Sequence, residues 1–124
     1  MRKAVRLCCR EGCDNIKLDI SGDPFYPETP SHATPMSLAE VQMAVETAHS
    51  FGKKVNAHAR SIQSIQHCLL AGVDVIYHAE YSDEKTLDML EAARDRIFVA
   101  PTISLFHTMM HEAEPWLPRA AAEA

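Results

Sequence analysis

The chain has 124 residues, 47% hydrophobic and 23% charged, with a formal net charge of −5, which suits one globular domain with a single core. No basic block interleaved with aromatics occurs, so nucleic acid and anionic membrane surfaces are excluded as expected partners. No apolar run reaches the roughly 18 residues that span a bilayer, and Arg6 and Arg10 interrupt the N-terminal MRKAVRLCCREGC as a signal, so a cytoplasmic location is expected.

Residues 1–12 are predicted as a helix, with Val5, Leu7, Cys8 and Cys9 near one face and Gly12 as its stop. Cys8, Cys9, Cys13 and Cys68 have the spacing of neither a disulfide framework nor a zinc knuckle and read as free thiols. NIKLDI (15–20) alternates between Asp14 and Ser21-Gly22 and is predicted as a strand. SGDPFYPETPSHATPM (21–36) holds four prolines and reads as a long loop whose length points to function.

Ser37 and Glu40 form a capping box, after which Leu38, Val41, Val45 and Ala48 keep helical spacing up to Gly52. A strand over 54–59, a helix over 61–71 ending at Gly72 and a strand over 73–79 follow. Ser82 opens a further helix with Leu87, Leu90 and Ala93 toward the core, and IFVAPT (97–102) is the last strand. Residues 103–124 read as a helical start broken by Pro115 and Pro118, with Met109, Met110 and Trp116 as packing residues.

The order is αβ-loop-αβαβαβα, and the last three strands begin 19 and 24 residues apart, the spacing of crossover helices between parallel neighbours. Right-handed crossovers put every strand's carboxyl end on one side of the sheet, where ligands of such folds sit. Lys17, His58 and His78 occupy that edge or its approach. Neutral imidazoles are ligands for zinc and related divalent ions, and adjacent strands about 4.8 Å apart let two of them share one ion. Two are too few for a tight site, so a further donor is needed.

IKLDISGD, VNAHAR, AGVDVIYHAEYSDE and VAPTIS, taken together over residues 13–110, resemble the middle of the amidohydrolase superfamily, in its imidazolonepropionase-like and prolidase-like branches. The resemblance implies an α/β fold of parallel (β/α) units, about half of a TIM (β/α)8 barrel, roughly strands 4 to 7, with residues 1–124 as one partial barrel domain. It implies a metal-dependent hydrolase of amide or other C–N bonds, acting on a small amide, cyclic amide or dipeptide-like substrate. Lys17 matches the fourth-strand lysine, which in many members is carboxylated and bridges two metals; His58 and His78 match the fifth- and sixth-strand histidine ligands. The implied cofactor is a divalent metal, zinc first, as one or two ions.

The departures are specific. The family's first-strand His-x-His pair and eighth-strand aspartate have no counterpart, SGD replaces SGG, and Tyr77 stands where relatives often carry Glu. A whole barrel takes about 250 residues, so the chain is expected to be a portion of a longer enzyme, or to need a complementing chain or a second copy. The alternative is a non-catalytic α/β module that pairs through its open sheet edges with itself or a partner.

Other polar residues are weighed the same way. Asp19 and Asp23 read as solvated carboxylates, and Lys17 taken alone would be a lysine reaching water from the strand edge. Arg60 could clamp a substrate carboxylate or start the next helix as a solvated residue, and the solvated reading is favoured. HTMMH puts His107 and His111 at zinc-binding spacing, but Thr108 stands where a metalloprotease needs Glu, so surface or partner-facing histidines are expected. His32, His49 and His67 carry no pattern.

Overall fold

Alternating apolar and helix-period segments fold into α1 (Arg2–Arg10), β1 (Asn15–Asp19), α2 (Leu38–Ser50), β2 (Lys54–Ala59), α3 (Ile62–Ala71), β3 (Val75–His78), α4 (Glu84–Ala92), β4 (Phe98–Ala100) and α5 (Ile103–His111). The structure, a computed structural model, describes residues 1–112; Pro115, Trp116 and Pro118 lie outside the described residues. The four strands form one parallel sheet in the order β1-β2-β3-β4. This is the α/β architecture expected, with half the strand number of a closed (β/α)8 barrel.

The two faces of the sheet differ because strand side chains alternate. Ile16 and Leu18 on β1, Val55, Ala57 and Ala59 on β2 and Ile76 on β3 are buried in one core cluster with Val41, Ala44, Val45 and Ala48 of α2 and Ile65, Cys68 and Leu69 of α3. The opposite face presents Lys17 and Asp19, Asn56 and His58, and Tyr77. Parallel sheets are ordinarily apolar on both faces. A polar second face therefore marks where the fold departs from pure packing.

Local chemistry sets the element ends. The Ser37–Glu40 capping box forms as expected, the Glu40 amide donating to Ser37 Oγ and the Ser37 amide to Glu40 Oε2. The helix expected from Ser82 begins instead behind Asp83, whose carboxylate accepts from the Thr86 amide at 2.8 Å, while the Ser82 hydroxyl donates back to the Ala79 carbonyl. β3 starts at Val75 rather than at residue 73. Gly72, at φ +79, turns the end of α3 so that the Val73 amide still donates to the Cys68 carbonyl. Asp74 then uses its carboxylate to accept from the Val55 amide, Lys54 and His49. β4 is shortened to three residues, since Pro101 has no amide with which to extend the ladder. No helix among the described residues is long and apolar enough to cross a membrane.

Candidate functional site

The parallel register brings the carboxyl ends of β1, β2 and β3 to one edge, with Asp19 opposite His58, His58 opposite Tyr77 and Ala59 opposite His78. His58 and His78 meet there, their ring centroids 4.6 Å apart and their planes at 73°. His58 follows ordinary alternation. His78 does not: two residues after the core-facing Ile76, a regular strand would aim it at the helices. Its φ of +80, followed by +61 at Ala79, swings the ring back against His58 while the Ala79 amide still donates to the Ala59 carbonyl. Non-glycine residues in this left-handed region cost roughly 1–3 kcal/mol and persist only where their surroundings hold them.

Each imidazole is fixed by one nitrogen. The Gly22 carbonyl can only accept, so at 2.9 Å His58 Nε2 carries the proton and donates to it. In the neutral ring this leaves the lone pair of His58 on Nδ1. His78 uses Nδ1 toward the Thr102 hydroxyl at 2.7 Å, leaving Nε2 free of protein partners among the described residues. Burial, then the charges of Arg60 and His58, push the His78 pKa down to about 4, so this imidazole is neutral at physiological pH. Holding one ring nitrogen with a protein acceptor or hydroxyl is how metal-binding histidines are oriented.

Lys17 lies on the same face of β1. Its Nζ is 3.1 Å from Asp19 Oδ1 and 5.4 Å from the centre of the Tyr77 ring, and its charge is among those that depress the His78 pKa. Among the described residues, no group of three or more His, Cys, Asp or Glu side chains stands together as a metal site. His58 and His78 therefore meet at this edge with Lys17 on the same face of β1.

Arg60 corrects an expectation. It is buried at 2% exposure rather than solvated, because the turn after β2 drives it inward between two loops. Its Nη2 lies 3.2 Å from Asp23 Oδ2 in the 21–36 loop, its Nη1 pairs with Glu80 after β3, and its guanidinium carbon is 5.5 Å from the centre of the Phe106 ring on α5. The Arg60 amide also donates to the buried Ser21 hydroxyl. Asp23 is likewise no solvated carboxylate: it bonds Arg60, caps the Phe25 amide and stands 3.8 Å from His58 Nε2. Asp19 stays exposed, paired with Lys17.

The 21–36 loop folds over this edge and walls an open cavity of about 330 Å3 lined by Asp19, Ser21, Asp23, Tyr26, Pro35 and His58, among others. Gly22 is required at its root, since an added Cβ would run into the backbone oxygens of Thr29 and Pro30. The remaining histidines fall elsewhere. His107 and His111 lie with ring centres 4.7 Å apart and planes tilted by 50° on the exposed face of α5, as expected of surface histidines. His49 bonds Asp74 at the opposite end of the sheet, and His67 bonds the Met36 carbonyl. Thr102 and the Gly22 carbonyl were not singled out from sequence. Their one signal is position, just past the strand ends in VAPTIS and IKLDISGD.

No family model matches the sequence. Among curated proteins it is similar to an ochratoxinase of Aspergillus niger, 29% identical over 91 residues, which are 73% of this chain and 19% of that protein. Among solved structures, an amidohydrolase is 30% identical with a TM-score of 0.83, the match covering 98% of this chain and 29% of the other. A prolidase complexed with N-methylphosphonate-L-proline is 28% identical with a TM-score of 0.82, over 98% of this chain and 30% of the other. The A. niger ochratoxinase structure shares the fold at a TM-score of 0.82 and 24% identity, over 98% of this chain and 27% of the other. The chain therefore spans about a fifth of the curated relatives it matches and under a third of these solved ones.

Proposed function

We propose that this chain, a homologue of the amidohydrolases and prolidases, supplies the central part of a metal-dependent hydrolase that cleaves the C–N bond of an amide, cyclic amide or dipeptide-like substrate. One observation carries this reading: His58 and His78 meet at the carboxyl edge of adjacent parallel strands, each tied by one ring nitrogen with the other left over. That donor set fits a divalent ion, and zinc is the first candidate because borderline-soft imidazole nitrogens suit it. Lys17 completes the set as a carbamate. Its ammonium would repel a cation, whereas a carboxylated Nζ presents two anionic oxygens and can bridge two ions.

When bound, such a metal polarises a scissile carbonyl and lowers the pKa of a water toward neutrality. The residues of this chain do the rest by position. The Gly22 carbonyl and the Thr102 hydroxyl each hold one nitrogen of a ring, and Thr102, accepting from His78 Nδ1–H, would leave the Nε2 lone pair for a metal. The 21–36 loop walls the substrate cavity and contributes the exposed Tyr26 to its lining, able to pack against an apolar substrate group. Arg60 ties that loop, through Asp23, to the turn after β3, through Glu80. The remaining donors and the water-activating base come from strands outside these four, in a longer parent chain or a complementing one, working in the cytoplasm.

The test is metal content and turnover on the full-length parent protein, compared with Lys17→Ala, His58→Ala and His78→Ala. Loss of bound zinc together with loss of dipeptide or amide hydrolysis supports the assignment. Wild-type metal content and rate in Lys17→Ala would overturn it.

A further inference from the structure

Cys8, Cys9 and Cys13, three of the four cysteines, lie at the end of α1 and in the turn after it. The backbone there closes a Schellman cap. Gly12 adopts φ +87, its amide donates to the Cys9 carbonyl, and the Cys13 amide donates to the Cys8 carbonyl at 3.2 Å. In this motif the residue two past the cap ordinarily makes an apolar contact with the residue three before it. The cap residue is Glu11, so those two positions are Cys13 and Cys8. A place usually filled by an apolar pair holds two thiols instead.

The hydrogen bond between them sets their reach. Ordinary bond lengths on either side of it keep the two Cα atoms inside roughly 7 Å, the distance beyond which a disulfide cannot be bridged. Cys8 and Cys13 are free and exposed, whereas Cys9 packs against the core cluster and Cys68 is buried in it. The cap is closed by consecutive residues, so its geometry does not depend on what pairs with the edges of the sheet. It lies before the amino end of β1, away from the carboxyl edge where His58 and His78 meet.

We infer that Cys8 and Cys13 form a dithiol site that reacts reversibly with low-molecular-weight disulfides, closing an intrachain disulfide across the cap. One of the two thiolates attacks a sulfur of the small disulfide, breaking its S–S bond and expelling one small thiol. The second cysteine then attacks the protein sulfur of that mixed disulfide, forms the Cys8–Cys13 bond and expels the other small thiol. The cysteine pair loses two electrons, the small disulfide gains them, and the two cysteine protons end on the two small thiols. Exposed disulfides belong to the readily reduced class, so excess thiol reopens the bond. The site is independent of any bound metal.

The test incubates the 124-residue chain in mixtures of oxidised and reduced glutathione at about pH 8, natively and in urea, with circular dichroism to verify folding. The native product should be about 2 Da lighter than the reduced chain. After alkylation of the remaining thiols, trypsin should release residues 7–10 joined to residues 11–17. Cys9→Ala should keep that cross-link, and Cys8→Ser should lose it and carry glutathione adducts alone. Because the folded cap holds the two thiols together, the effective concentration of one at the other should fall by roughly tenfold or more in urea. The same cross-linked peptides are expected from the full-length parent. Glutathione adducts without an intrachain bond, a cross-link that survives Cys8→Ser, or equal effective concentrations in the native and unfolded chain each overturns the inference, as does a parent protein in which Cys8 and Cys13 stay reduced.

Discussion

Arg60 offers the sharpest energetic test, because its side chain is 2% exposed and it neutralises two acids from different loops. Replacing it with methionine keeps the volume and removes the charge, leaving Asp23 and Glu80 facing each other unpaired with side chains 18% and 27% exposed. Removing one partner of a fully buried ion pair costs roughly 3–5 kcal/mol. Both acids retain some access to water, so the expected loss is lower, about 2–3 kcal/mol. Unfolding entropy near 2.1 cal/mol/K per residue gives about 0.26 kcal/mol/K for a chain of this length, so the melting temperature should fall by about 10 °C. Urea unfolding followed by far-ultraviolet circular dichroism at pH 7 measures the first quantity and a thermal scan the second. Arg60→Met/Asp23→Asn/Glu80→Gln should recover at least half of the loss, because the cost lies in the stranded carboxylates. A deficit below about 1 kcal/mol for Arg60→Met, or a triple variant no more stable than the single one, would refute the reasoning.

Other expectations follow from single contacts. Burial alone would raise the Asp74 pKa, but Lys54, the Val55 amide and His49 outweigh it and hold the carboxyl below its usual value of 3.8. A depressed pKa contributes stability above the unfolded-state value and loses it as pH falls through the folded one. Asp74→Asn should therefore cost about 2 kcal/mol at pH 7 in denaturant titrations, and the gap from wild type should shrink below about pH 4; a gap independent of pH would count against the ion-paired account. Gly22→Ala should push the 21–36 loop off the Thr29 and Pro30 backbone oxygens and release His58. Nitrogen-15 spectra of the His58 ring should then show a loss of the Nε2-protonated tautomer, and an unchanged spectrum would contradict the steric argument. Burial raises the Cys68 thiol pKa to about 12, whereas Cys8 and Cys13 are exposed. Thiol labelling of the native chain at pH 8 should spare Cys68 until the chain is unfolded, and fast modification of all four cysteines would show the α3 core to be open.

Much of the site was legible before folding because its components are periodic. Val41, Val45 and Ala48 mark a helix by spacing alone, and the repeated strand–helix lengths make parallel pairing and a common carboxyl edge the expected result. The positions of His58 and His78 near the carboxyl ends of β2 and β3, and of Lys17 within β1 on the same face as His58, were legible from the strand pattern and the motifs around them. Arg60 was misjudged for a physical reason: a lone arginine after a strand is usually solvated, and only the simultaneous approach of Asp23 and Glu80, 37 and 20 residues away along the chain, makes its burial tolerable.

What the chain alone determined, then, is the set of elements, their order and the residue types at the sheet's polar edge, since these depend on local periodicity and capping chemistry that act over a few residues. The aim of His78 was decided only in three dimensions. Alternation would have sent its ring into the helical layer, and it takes the long-range anchor of Thr102 together with a left-handed backbone to turn it toward His58. Which nitrogen each imidazole leaves free was decided the same way, because the carbonyl and the hydroxyl that bond the other one arrive from separate loops brought together at the carboxyl edge by the parallel register of the strands.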